Sequence, residues 1–119
     1  MKRRILFIDD DKELSEEMVD LLTAEGYMLE AAFDGLQAED LIKKHRYDVI
    51  LLDLKMPALN GLDLLKRLKK IDLIAKIILI SGKPYLEKEI KKYGFSPMIS
   101  CVISKPYDVK ELLNTIKHI

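Results

Sequence analysis

The stretch Tyr47-Asp48-Val49-Ile50-Leu51-Leu52-Asp53 decides the fold. Its four consecutive aliphatic residues leave no face for water, so they read as a strand buried on both faces of a parallel sheet. The residues that follow, Leu54-Lys55-Met56-Pro57-Ala58-Leu59-Asn60-Gly61, contain Pro, Asn and Gly and read as a loop. Asp53 thus stands where a hydrophobic strand gives way to a loop. Open parallel sheets bind ligands just beyond the carboxyl ends of their strands. A second acidic group, Asp9-Asp10-Asp11, ends another apolar run, Ile5-Leu6-Phe7-Ile8. Two acidic strand ends on one rim make a candidate site.

Outward from these two runs, short apolar segments alternate with amphipathic ones, the pattern of a βαβαβ chain. Strands are expected at about 3–8, 27–32, 48–52, 76–80 and 101–103, the second being less apolar and so placed at an edge. The first helix carries Leu14, Met18, Leu21 and Leu22 on one stripe and stops near Gly26. The second starts at Asp34, with Gln37 resembling a capping box, and turns Leu36, Leu41 and Ile42 inward. The third follows Asn60, a favourable N-cap, with Leu62, Leu65 and Leu68 toward the sheet. The fourth covers about 85–93 around Leu86 and Ile90 and ends at Gly94. Asp108 caps the last helix, with Glu111 at its third position and a stripe of Val109, Leu112, Leu113 and Ile116. Only 95–100 has no readable pattern. Five strands alternating with five helices imply an α/β doubly wound parallel sheet, helices on both faces and right-handed crossovers.

The 119 residues suffice for one domain with a proper core, and 49% hydrophobic residues exclude general disorder. Twenty basic and 20 acidic residues cancel, which argues against direct nucleic-acid binding as the main role. The single cysteine, Cys101, can form no internal disulfide and has no partners for a zinc site. No apolar run approaches membrane-spanning length, and the run after Met1-Lys2-Arg3-Arg4 is too short for a signal peptide. A cytoplasmic protein without membrane insertion is expected. The last helix runs to the end of the chain, so residues 1–119 are expected to be one domain with no output domain.

Taken in order, the strand ends carry Asp9-Asp10, Asp53, Ser81 and Lys105. Clustered carboxylates repel one another and raise each other's pKa unless a cation intervenes. Mg²⁺, a hard ion that takes one or two carboxylates and several waters, is the natural remedy. A lysine and a hydroxyl beside it suit an anionic guest, and the set describes a phosphoryl site. A carboxylate at its centre can act as nucleophile and become an acyl phosphate.

On these residues the chain resembles the receiver domains of two-component response regulators, in particular the single-domain type of chemotaxis and phosphorelays. The matching pieces are Ile8-Asp9-Asp10-Asp11, the Asp53-x-x-Met56-Pro57-x-x-x-Gly61 loop, Ser81-Gly82 and Lys105-Pro106-Tyr107. The resemblance implies a flavodoxin-like five-stranded sheet of order 2-1-3-4-5. It implies that Asp53 is the phospho-acceptor, fed by a sensor histidine kinase or a histidine phosphotransfer protein. Asp10 and Asp53 would contact Mg²⁺ directly, Asp9 largely through water, and Lys55 through its backbone carbonyl. Lys105 would pair with the phosphoryl group, Ser81 would sense it, and the Lys105-Pro106 bond would be cis. The face of helix four, strand five and helix five would then bind a downstream protein target. The family's aromatic switch position is Val102 here, with Tyr85, Tyr93 or Tyr107 as substitutes, and 94–105 looks longer than usual.

Singly, each of these residues has an ordinary explanation. A strand-end aspartate is usually a turn or cap residue, Lys105 would pass for one of many surface lysines, and Ser81 for a common strand-end serine. Their convergence favours the functional reading. Asp11 is expected to cap the first helix or face water, and Asp48, at the opposite rim, to be structural. Lys88, Lys91 and Lys92 read as a solvated face, and His45 and His118 lack ligand spacing. A Mg²⁺-dependent phosphatase would need a carboxylate two residues after the nucleophile, where Lys55 stands. A flavin carrier would place Ser, Thr and Gly where Asp9-Asp10-Asp11 stands. An unphosphorylated interaction module would commonly have lost part of the acidic set.

Overall fold

The computed structural model describes residues 3–53, 61–71, 73–82 and 86–119. The expectations for Lys55, the Met56-Pro57 pair, the Asn60 cap and Tyr85 lie outside them. Its strands are β1 (Arg4–Ile8), β2 (Met28–Ala32), β3 (Val49–Asp53), β4 (Lys76–Ser81) and β5 (Ile99–Ser104). All pair in parallel, in the order β2-β1-β3-β4-β5, as expected. The helices are α1 (Lys12–Ala24), α2 (Gly35–Lys44), α3 (Gly61–Leu68), α4 (Leu86–Lys92) and α5 (Val109–His118).

The apolar runs are continuous because the sheet is covered twice. Leu6, Ile8, Ile50, Leu52, Ile77 and Leu79 point to one face and pack with Ala38 and Ile42 of α2, Leu64, Leu65 and Leu68 of α3, and Ile90 of α4. The alternate residues Ile5, Phe7, Val49, Leu51, Ile78 and Ile80 meet Met18 and Leu22 of α1 and Leu112 and Ile116 of α5. This strict alternation makes two cores out of one sheet.

Local chemistry sets the helix starts. Asp11, Asp34 and Asp108 are the N-caps of α1, α2 and α5, each accepting a backbone N–H of the first turn. Gln37 Oε1 accepts from Phe33 N, which closes the capping motif one residue before the cap itself. At the end of α1 the chain turns on Gly26, whose φ of +92° suits glycine, and Tyr27 N donates back to Leu22 O.

Three details differ from the sequence expectation. Leu21 and Leu36 are exposed, 41% and 54%, and the core places go to Ser15 and Ala38. Strand β5 starts two residues early, at Ile99, after a 3₁₀ turn over Ser96–Met98. Ile77 pairs Ile99 and Ile78 pairs Cys101, so Ser100 is an extra residue accommodated as a bulge. The bulge lies near the start of β5, at the rim away from the acidic strand ends.

Candidate functional site

The carboxyl ends of β1, β3, β4 and β5 converge on one rim. Asp53 is the last residue of β3, in register with Ile80, and only 3% exposed. Asp9, also 3% exposed, follows β1 and is held twice. Its N–H donates to Ala32 O at 3.1 Å, and its Oδ1 accepts from Asp11 N at 3.0 Å. Asp10, between them in sequence, is exposed. One carboxylate oxygen from each of Asp9, Asp10 and Asp53 falls within 4.8 Å of the others. Asp11 stands aside as the cap of α1, and Asp48 accepts from Arg4 N at 2.7 Å on the opposite rim, both structural.

Lys105 lies beyond β5, its N–H donating to Ser81 O at 2.9 Å. That bond lays its backbone against the end of β4, and its Nζ reaches over β4 to donate to Asp53 Oδ2 at 2.8 Å. Ser81, 6% exposed, ends β4 between the two. The Lys105-Pro106 bond is cis, in keeping with the resemblance. Asp9, Asp10, Asp53, Ser81 and Lys105 are thus brought to one place. Lys55 lies outside the described residues.

The electrostatics of the rim are those of a crowded acidic group. Burial pushes the Asp9 carboxyl up to about 6, against the pull of the Asp11 amide, and the charges of Asp53 and Asp10 add to the rise. Burial draws the Lys105 ammonium down, but its hydrogen bond to Asp53 and the charges of Asp53 and Asp9 outweigh this and hold it above the ordinary lysine range. Such a rim suits a divalent cation with oxygen ligands, because the cation removes the repulsion that a lysine on one side removes only in part.

The family whose sequence pattern this chain matches is described as the response regulator receiver domain, and the match covers residues 5–117. The chain belongs to the response regulator receiver domain family. Receiver domains are the phosphoryl-accepting switches of two-component signalling and bind Mg²⁺ at an acidic pocket. The chain is 33% identical over 119 residues to sporulation initiation phosphotransferase F of Bacillus subtilis, covering 98% of this chain and 93% of that one. It is 33% identical to the probable transcriptional regulator ycf29 of Porphyra purpurea over its full length, but spans only 57% of that protein. Of the transcriptional regulatory protein DltR of Streptococcus agalactiae it spans 50%. Among solved structures, the receiver domain of a Francisella response regulator matches with a TM-score of 0.87 at 31% identity, over 98% of this chain and 95% of that one. The response regulator TrrA of Thermotoga maritima, solved in complex with Mg²⁺-BeF, matches with a TM-score of 0.83 at 28% identity, over 99% and 98%.

Of the aromatic substitutes for Val102, Tyr93 follows α4 and is exposed, tilted against Phe95 with Lys66 Nζ 5.1 Å from its ring centre. Tyr107 packs into the α1–α5 core instead. Val102 itself is half-buried against the α2–α4 core. Sequence reasoning missed the backbone anchor of Asp9 by Asp11 and the inward course of Tyr107. The acidic triplet carried a signal for the first, since aspartates often accept an N–H two residues on.

Proposed function

We propose that this receiver domain is a phosphorylation-controlled switch whose acceptor is Asp53. A histidine kinase or a histidine phosphotransfer protein would supply the phosphoryl group. An Asp53 carboxylate oxygen attacks phosphorus in line, the O–P bond forms, and the P–N bond to the donor imidazole breaks with its electron pair returning to nitrogen. The observation that carries this reading is the Lys105 Nζ–Asp53 Oδ2 contact of 2.8 Å beside the close carboxylates of Asp9 and Asp10.

The carboxylates of Asp9, Asp10 and Asp53 fit Mg²⁺: Asp10 and Asp53 would hold it directly and Asp9 largely through water, and the family resemblance would add the backbone carbonyl of Lys55, which lies outside the described residues. When bound, the ion neutralises charge on the transferring group. Lys105 holds Asp53 in place and offers its ammonium to the incoming phosphoryl oxygens. Ser81 offers a hydroxyl to the same oxygens from the end of β4, and a pull there would draw the following loop toward the rim. The altered face of α4, β5 and α5 would then engage a downstream protein. TrrA was solved with Mg²⁺ and a beryllium fluoride, a phosphoryl-like group, which supports the same pairing of cation and anion here.

The test is intact mass after incubation with acetyl phosphate, with and without Mg²⁺, for the wild type and Asp53→Asn. Gain of one phosphoryl group that requires both Mg²⁺ and Asp53 is expected. No gain under any condition would reduce Asp53 to a structural aspartate and leave an unphosphorylated interaction module.

A further inference from the structure

Residues 66–76, which close α3 and lead into β4, carry five cationic side chains and a single acidic one, Asp72. Residues 12–25, which form α1 and its C-cap, carry the reverse, five carboxylates and the single cation Lys12. On α2 the charges are matched: Glu39 takes Lys43 at 3.6 Å and Arg67 at 2.9 Å, and Asp40 takes Lys44 at 3.0 Å. Lys66, Lys69, Lys70 and Lys76 have no such partner among the described residues, and neither do Glu13, Glu16, Glu17, Asp20 and Glu25. All of them are exposed.

The lysines border an apolar concavity of about 440 Å³ at the amino rim of the sheet. Leu68, Ile71, Ile74 and Met98 line it, with Lys69 and Lys76. Ile71 is 39% and Ile74 64% exposed, so apolar surface is open to water here. Lys66 Nζ over the Tyr93 ring and Lys69 Nζ over the Phe95 ring, at 5.1 and 5.8 Å, carry the positive edge across to the end of α4. An apolar centre within a charged rim is the anatomy of a protein contact. The outer face of α1 has the complementary make-up. Leu21 is 41% exposed there, with Glu17 one turn before it and Asp20 beside it. Yet α1 covers one face of the sheet while α3 and α4 cover the other, so the two surfaces cannot meet within one chain.

We propose that the groove between the end of α3 and the 3₁₀ turn before β5 is the docking site for α1 of a second copy of this chain. Leu21 of one copy seats beside Ile71, Ile74 and Met98 of the next, and the α1 carboxylates face Lys66, Lys69 and Lys76. The contact joins unlike surfaces, so each added copy leaves one groove and one α1 free, and association continues head to tail. Its charged rim makes it salt-sensitive. The acidic rim of the sheet takes no part in it.

Sedimentation equilibrium of the full chain from about 10 μM to about 1 mM, the range of a weak contact, measures the association. The average mass should rise with concentration at low salt. It should fall back to one copy near 1 M salt, where charges are screened within about 3 Å. Two variants then block one surface each: Ile74→Asp with Lys76→Glu in the groove, and Glu17→Lys with Leu21→Lys on α1. The four side chains are exposed, and circular dichroism checks that both variants fold; Lys76→Glu and Glu17→Lys alone replace a pair that does not. Each variant by itself should remain a single copy. An equimolar mixture brings together one intact groove and one intact α1, and should form a complex of two copies and nothing larger. A wild type that stays a single copy throughout would overturn the proposal. So would a blocked variant that still associates, or a mixture that stays single while the wild type assembles.

Discussion

Lys105 Nζ donates to Asp53 Oδ2 at 2.8 Å although a whole strand, β4, lies between the strands that carry them. The crossing is possible because Lys105 N is bonded to Ser81 O, which sets the lysine backbone beside the end of β4. The ammonium then has the length of its own side chain with which to reach the buried carboxylate.

Replacing Lys105 with methionine keeps the stem and removes that charge. Phosphoryl uptake by Asp53 should slow about tenfold or more, equivalent to ~1.4 kcal/mol or more of lost transition-state stabilisation. Folding stability should change by less than about 1 kcal/mol, since the lysine side chain is 38% exposed and solvent screens the pair. The rate of mass gain with acetyl phosphate, beside a urea melt, separates the two effects. An unchanged rate would remove Lys105 from the chemistry.

The raised pKa of Asp9 predicts the shape of the pH–stability curve. Unfolded, this carboxyl releases its proton near 3.8, whereas in the fold it holds the proton up to about 6. Between those values the native state binds more protons, so stability falls as pH rises through the window. The loss is at most about 3 kcal/mol, from the linkage of 1.36 kcal/mol per pKa unit. Asp9→Asn should flatten the curve between pH 4 and pH 6, and Mg²⁺ should restore stability to the wild type above pH 6. Urea midpoints across this range for both proteins, with and without Mg²⁺, measure it. Parallel curves for the two would show that Asp9 titrates normally.

Ser81 sits between Asp53 and Lys105 at the end of β4 and is nearly enclosed. Its replacement by alanine should leave phosphoryl uptake intact but abolish the accompanying change at α4 and β5. Amide chemical shifts before and after phosphorylation would show this. A full response in Ser81→Ala would take the hydroxyl out of the switch.

At the other end of the sheet, the Arg3 guanidinium donates to Ile116 O at 2.6 Å and Ile119 O at 3.0 Å, occupying carbonyls that the end of α5 leaves free. Arg3→Ala should destabilise the fold by about 1 kcal/mol, in the range of hydrogen bonds from a partly exposed charged donor. Amide exchange in the last turn of α5 should quicken. Unchanged exchange there would mean that the helix end holds itself.

What could be read along the chain was what near neighbours decide. Four aliphatic residues in a row announced β3, and Asp34 and Asp108 announced the helices they cap, because burial on two faces and an N-cap hydrogen bond are both local requirements. The acidic and basic strand ends were legible for the same reason: a parallel sheet brings all its carboxyl ends to one rim. Tertiary structure alone decided which side chains share that rim's interior. Lys105 and Asp53 are 52 residues apart in sequence, and their contact depends on strand order and on the backbone bond that anchors Lys105. The exposure of Leu21 and Leu36 depends on which side of each helix meets the sheet, where Met18, Leu22, Ala38 and Ile42 are buried instead. The bulge at Ser100 depends on the register that β4 imposes on β5. The burial of the Tyr107 hydroxyl depends on the packing of α1 and α5 over the sheet. Periodicity and capping are settled within a few residues, whereas packing distance, register and side-chain reach are settled only when distant segments meet.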